Sequence, residues 1–233
     1  MSDIRIVMLS GSFEYDSEES LIILRDFLLA NAAVQCELVI FQTEEDPVSL
    51  APLDDADVVL VFTRRLLTSG TELARFQRYC TDGRPVVGLR TASHAFQHWL
   101  EFDGQVLGGS YEGHYGSGET TKVEFAPGTE GHPILEGVEP FDAYGSLYRN
   151  TPLADDTCPL LLGTEGEHHE PVAWTCERAG RAFYTSLGHQ KDFWELDFLR
   201  LVQNGILWSV GQPSTARQLL SASAQRPRPP ANL

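Results

Sequence analysis

The sequence predicts an α/β protein built on a mainly parallel, doubly wound sheet. Three observations lead there. Short apolar strand-like runs alternate with helical segments from Ile4 to Leu89. The run DVVLVF, Asp57 to Phe62, is apolar at successive positions, as a strand covered by helices on both faces must be. The stretch VVGLRTASHAF, Val86 to Phe96, reads as a tight strand-to-helix corner with small residues on either side of its centre.

Taken in order, Ile4 to Leu9 is a compact β-branched strand, followed by the loop SGSFEYDSEES. Ser17 is placed to cap a helix there, with Glu18 and Glu19 in its first turn and LIILRDFLLA as its body. Cys36 to Phe41 and Asp57 to Phe62 are the second and third strands. Thr71 to Thr81 is amphipathic and ends at Asp82-Gly83, where glycine suits a helix C-terminus. PVVGL then forms the fourth strand. The second half is less regular, with short strands near Thr121 to Phe125, Pro159 to Gly163, Pro171 to Thr175 and Arg181 to Thr185, then a helix from Phe193 to Trp208. Ligands in such sheets bind beyond the C-terminal strand ends, which selects three loops: Ser10 to Asp16, Thr63 to Gly70 and Arg90 to His94.

One domain over residues 1–210 is expected, with a tail from Gly211 to Leu233 rich in Pro, Ser, Ala and Arg and with at most a short turn near Leu219-Leu220. The 17 Lys and Arg against 33 Asp and Glu leave a net charge of -16, with no basic cluster, so nucleic acid and anionic membranes are excluded as partners and a small molecule is expected. Cys36, Cys80, Cys158 and Cys176 are widely spaced and read as reduced, core-filling thiols. No apolar run is long enough to span a membrane, and IRIVML is too short for a signal segment, so a cytoplasmic location is expected.

At the corner, Gly88 and Ala92 flank Arg90 two positions away, where crowded backbones tolerate only small residues. Arg90 therefore stands where a nucleophile would. A guanidinium stays protonated and cannot attack carbon, but it donates in a fixed fork to carboxylate, phosphate or vicinal hydroxyls. The plainer alternative is an ion pair with a neighbouring Asp or Glu. As an exposed cleft side chain, Arg90 would contribute little to stability.

Of the seven histidines, three belong to segments that could meet at the strand ends. His114 lies in GGSYEGHYGSG, His189 follows a strand in FYTSLGHQKDF, and His94 opens the helix after the corner. His98 sits one turn along from His94, His132 is a turn residue, and His168-His169 belong to an exposed acidic loop. Most aromatics are core residues, with Tyr111 and Tyr148 as candidate ligand contacts.

The segments PVVGLRTASHAF, LGGSYEGHYG, GHPILEGV, SLYRNTPL, PVAWTCERAGRAFYTSLGHQKDF and LVQNGILWSV, in this order between Ile4 and Val210, resemble the ThuA-like (trehalose utilisation) family of the class I glutamine amidotransferase-like superfamily. The resemblance implies a flavodoxin-like three-layer α/β/α sandwich and a cleft associated with carbohydrate metabolism. In the amidotransferases the corner carries Cys. Here Arg90 replaces it, although His189 falls in the region of the triad histidine, so glutamine hydrolysis by that route is not expected. Better-known ThuA members carry His at the corner and an acidic residue in a DELY-like stretch; this chain has Arg90 and GSLY. His114 and His189 do carry over from the family pattern.

The residues leave two readings open. In the first, a hydrolase or lyase acts on a sugar or sugar derivative, with His189 or His114 as general acid or base and Arg90 orienting an oxygen; Ser93, His94, Tyr111, Tyr148 and Glu14 contact the substrate. In the second, the chain is a catalytically silent small-molecule-binding or scaffold domain. No cofactor is assigned. A divalent metal such as zinc stays open through His94 and His98, which would share one helix face, with Glu14 or Glu112. A homo-oligomer is left open.

Overall fold

The computed structural model describes residues 3–116 and 120–214. Among these residues nine strands form one sheet: β1 (Ile4–Gly11), β2 (Val34–Ile40), β3 (Val58–Thr63), β4 (Val86–Leu89), β5 (Thr121–Phe125), β6 (Phe141–Ala143), β7 (Thr157–Glu165), β8 (His168–Cys176) and β9 (Ala182–Thr185). Among the described residues three α-helices accompany it, α1 (Ser17–Asn31), α2 (Gly70–Thr81) and α3 (Leu196–Ser209). The strand order is β2-β1-β3-β4-β9-β8-β7-β5-β6.

This order corrects the expectation of a mainly parallel, doubly wound sheet. Pairings from β2 through β9 are parallel, whereas those from β9 through β8, β7, β5 and β6 are antiparallel, so the sheet is mixed. The reason is connection length. A parallel neighbour needs a crossover, usually helical, while antiparallel neighbours need only a tight turn. Glu165 pairs with His168 across Gly166-Glu167, and Gly166 has φ +60, the glycine-first arrangement of a two-residue hairpin. His168 and His169 thus open β8 and do not lie in a loop, although both are exposed as expected.

The three layers follow from alternation along the central strands. Ile6 and Met8, Val58, Leu60 and Phe62 point into one core with Leu24 and Phe27 of α1 and Phe198 and Val202 of α3. Val7 and Leu9, Val59 and Val61 point into the opposite core with Leu73 and Phe76 of α2 and with Phe96, Trp99 and Phe102. Each face of the parallel half is therefore covered, which is why its strands read as continuous apolar runs.

Three smaller expectations change. Ser17 is the first residue of α1 and Asp16 precedes it as the cap; the Ser17 hydroxyl instead pairs with that of Ser10 and accepts from the Ser12 N–H. Cys80 and Cys176 are buried and Cys36 half-buried, but Cys158 is exposed and fills no core; all four are free thiols. Of the tail, only Gly211 to Ser214 are described, with the Ser214 hydroxyl donating to Glu136; the turn near Leu219-Leu220 lies outside the described residues. No described helix is long and apolar enough to cross a membrane.

Beyond the corner a π-helical turn, Asp103–Leu107, buries a carboxylate. Asp103 Oδ2 accepts from the Tyr111 N–H at 2.8 Å, and Oδ1 has no hydrogen-bond partner. Burial pushes its pKa up from 3.8 to about 6, against that one N–H. A folded-state pKa above the unfolded value means that the folded form holds the proton more tightly, so stability falls as pH rises from near 4 through about 6. Asp103→Asn keeps the acceptor for Tyr111 and removes the buried charge. Urea denaturation should find it equal to the native chain near pH ~4 and about 2 kcal/mol more stable near pH ~8. Equal stability at both pH values would show that the carboxylate is hydrated in the fold.

Candidate functional site

The corner after β4 has the expected geometry. Leu89 is extended, and Arg90 turns abruptly to φ +44, a left-handed conformation costing about 1–3 kcal/mol for a side chain of this kind. A Cβ on Gly88 would lie 2.9 Å from the Tyr184 ring and 3.2 Å from Ala92 Cβ, so the small residues predicted on both sides are needed. The Tyr184 hydroxyl donates to the Arg90 carbonyl at 2.6 Å and pins the turn. The chain leaves the corner as a 3-10 turn, Arg90–His94, and not as the expected α-helix. His94 and His98 consequently share no helix face. His98 is exposed, its Nδ1 donating to the Thr68 carbonyl, and no group of three potential metal ligands occurs among the described residues.

Arg90 is only 1% exposed, which overturns the expectation of an open cleft arginine. Nor does it pair directly with a carboxylate. Nη1 donates to the Ser186 carbonyl at 2.8 Å and Nη2 to the Ser146 carbonyl at 3.3 Å. Its guanidinium carbon lies 4.7 Å from the Tyr15 ring centre and 4.6 Å from that of Tyr148, a cation between two aromatic faces. GSLY supplies the room: Gly145 has φ +83, and a Cβ there would approach Nη2 to 2.7 Å. Tyr148 is correspondingly buried, and forms the wall of the arginine pocket.

His189 caps the 3-10 turn Gln190–Trp194. Its Nδ1 accepts from the Lys191 N–H at 3.2 Å, and its own N–H donates to Asp192 Oδ2 at 2.9 Å. A main-chain nitrogen can only donate, so Nδ1 carries the lone pair and the neutral ring holds its proton on Nε2. Burial, then Arg90 and Lys191, lower its pKa below the usual histidine value. His189 is therefore a neutral Nε2–H donor near pH ~7. Asp192 anchors it, accepting also from the Gly188 and Tyr144 N–H groups; burial raises its own pKa to about 6 despite these donors. The His189 ring meets Tyr15 edge-on at 6.0 Å and Tyr144 at 6.1 Å.

On the other side, His94 is 9% exposed, stacks on Tyr111 at 4.6 Å and contacts the Ser93 hydroxyl through Nδ1 at 3.0 Å. Burial, then Arg64, Arg65 and Arg90, push its pKa down to about 3, so it is neutral. Ser93, 4% exposed, braces His94 and offers little surface to a ligand. Tyr111 is half-buried and its ring lies 4.7 Å from that of Tyr148. Glu14 is exposed and faces Arg64 at 3.2 Å.

His114 joins this region through its main chain, which bridges to Tyr148. The ring is exposed, with Nδ1 3.4 Å from the Tyr115 carbonyl, a contact that places its proton on Nδ1 and leaves Nε2 as acceptor. Among the described residues no direct side-chain contact links it to Arg90 or His189. A cavity of about 430 Å³ also lies elsewhere, lined by Ser10, Phe13, Asp16, Ser17 and Phe41 at the ends of β1 and β2. Buried hydroxyls connect its wall to the corner, since Thr91 Oγ1 donates to Ser12 Oγ at 2.9 Å.

Tyr15, Tyr144, Asp192, Arg64 and Arg65 were not singled out by the sequence. Tyr15 and the two arginines lie in two of the selected strand-end loops, and their residue types were the available signal. The spacing His189-x-x-Asp192, a capping box, was another.

Three solved structures with the same fold are a ThuA-like protein from Parabacteroides merdae (TM-score 0.74, 18% identity, 91% of this chain and 92% of that one), another from Bacteroides uniformis (0.72, 18%, 92% and 94%), and a glutamine amidotransferase from Thermotoga maritima (0.55, 12%, 91% and 100%). At these identities the likeness is one of fold. None of the curated protein sequences matches the chain. The family model described as "ThuA: Trehalose utilisation" matches residues 5–209, across the whole sheet and all three helices, and the chain accordingly belongs to the ThuA family.

Proposed function

We propose that this chain acts on a sugar or sugar derivative at the corner-side edge of the sheet, as a hydrolase or lyase using histidine. One observation carries the reading. The three non-glycine residues with positive φ among the described residues, Asp16, Arg65 and Arg90, follow β1, β3 and β4, three adjacent strands, at their C-terminal ends. Strain of this kind persists where a site over-determines the backbone. Above this edge, His189 offers Nε2–H to a substrate oxygen and His114 offers an Nε2 lone pair to a substrate proton. Arg90, with both terminal nitrogens committed to carbonyls, serves as a buried positive charge behind the site. The family's description supports a carbohydrate-related role in general terms.

The same commitment of Arg90 favours a second reading, a silent binding or scaffold domain whose corner is purely structural. Saturation-transfer NMR on the full chain with a panel of neutral and acidic monosaccharides and trehalose tests for a sugar site, and turnover of the sugar that binds then separates the two. Saturable transfer is expected, together with a turnover that falls in His189→Ala more than binding does. No transfer from any member of the panel would leave the scaffold reading.

A further inference from the structure

The carboxylates of this chain outnumber its basic side chains, 33 to 17, yet basic groups lie near both inner imidazoles. The basic groups that bear on His94 are Arg64, Arg65 and Arg90; those that bear on His189 are Arg90 and Lys191, beside the buried Asp192 that accepts its N–H. Arg64 is matched by Glu14, and Arg90 is buried beneath its tyrosines. Arg65 and Lys191 are different. Both are exposed, and neither side chain is in an ion pair among the described residues.

Their positions are fixed by main chain. The Arg65 N–H donates to the His94 carbonyl at 2.8 Å, and Leu66 bridges to Phe96, which ties this strand-end loop to the corner. Arg65 is held there at φ +49, a conformation uncommon for a residue other than glycine. The Lys191 N–H is bound to His189, and its ammonium lies 5.4 Å from the ring centre of Tyr144, which is 36% exposed. Two cations without a carboxylate partner among the described residues are therefore tied through the main chain to the two histidines, and Lys191 lies over the ring of the partly exposed Tyr144.

We infer that the substrate carries an anionic group, a carboxylate or a phosphate on the sugar, held by Arg65 or Lys191 at the mouth of the site while Tyr144 covers an apolar face of the ring. This rests on the sugar reading above and narrows it. Guanidinium and ammonium groups suit such anions. A neutral sugar would leave both cations unmatched.

Calorimetry on the full chain with glucose, glucuronate, glucose 6-phosphate and inorganic phosphate tests this. At low salt, glucuronate or glucose 6-phosphate should bind at least about tenfold tighter than glucose, an advantage that shrinks as salt is added. Arg65→Gln combined with Lys191→Gln should abolish the advantage and leave the melting temperature unchanged, since both side chains are exposed. Glucose binding as tightly as the charged sugars would overturn the inference and leave the sugar reading intact. Inorganic phosphate binding as tightly as glucose 6-phosphate would overturn the sugar reading and leave the anion site. Retention of the advantage in the double variant would remove Arg65 and Lys191 from it.

Discussion

Arg90→Met should lower the free energy of unfolding by about 3 kcal/mol. The substitution leaves the Ser186 and Ser146 carbonyls without their donors and removes the cation from between Tyr15 and Tyr148. Methionine relieves the cost of burying a charge, which offsets part of the loss, but it inherits the strained φ of +44 and cannot donate. Arg90→Lys should fall between, because one ammonium cannot reproduce a planar fork aimed at two carbonyls. Urea denaturation reads the difference. An unchanged midpoint for Arg90→Met would return Arg90 to the exposed, weakly coupled role that the sequence suggests.

The second large effect is expected at His189. His189→Asn replaces the ring Nδ1 by an amide oxygen that can still accept from the Lys191 N–H, so the cap survives and stability should change by less than about 1 kcal/mol. The substitution removes the Nε2–H. If that proton meets a substrate oxygen in the transition state, turnover of the sugar identified in the binding panel should fall by roughly 10²–10⁴ with little change in KM. A scaffold domain predicts neither a turnover to lose nor a change in binding. A fall in stability without a fall in turnover would make His189 a cap and nothing more.

The parallel half of the fold was legible because its strands carry a strong signal. β3 is buried at every position, and a short β-branched run such as Val58–Thr63 suits a strand covered on both faces far better than a helix. The corner was legible for a steric reason, the crowding of Gly88 against Tyr184 and Ala92. In the antiparallel half the strands near Thr121 to Phe125, Pro159 to Gly163, Pro171 to Thr175 and Arg181 to Thr185 were read in place, but β6 and the antiparallel pairing were not. β6 is three residues long, and β7 carries Pro159 and a register shift, so period-two alternation is interrupted where it would be needed.

The site was half legible. The strand-end rule chose the loops that hold Asp16, Arg65 and Arg90, the three positive-φ non-glycine residues among the described ones, yet the burial of Arg90 could not be read, because the residues that bury it come from three distant stretches: Tyr15, Gly145 to Tyr148, and Ser186. A tautomer is likewise invisible in sequence. It depends on whether Nδ1 meets a donor, as at His189, or a carbonyl, as at His98.

Central to the account is a neutral His189 locked with its proton on Nε2 beside a buried cation. Nitrogen-15 NMR of the imidazoles in the full chain, followed through a pH titration, measures this directly. The expected spectrum shows a protonated Nε2 and an unprotonated Nδ1 for His189, with titration only below the ordinary histidine pKa of 6.5, and movement of the Nε2 signal when a binding sugar is added. A proton on Nδ1, or titration above that value, would contradict the cap, the charge environment and the donor role together.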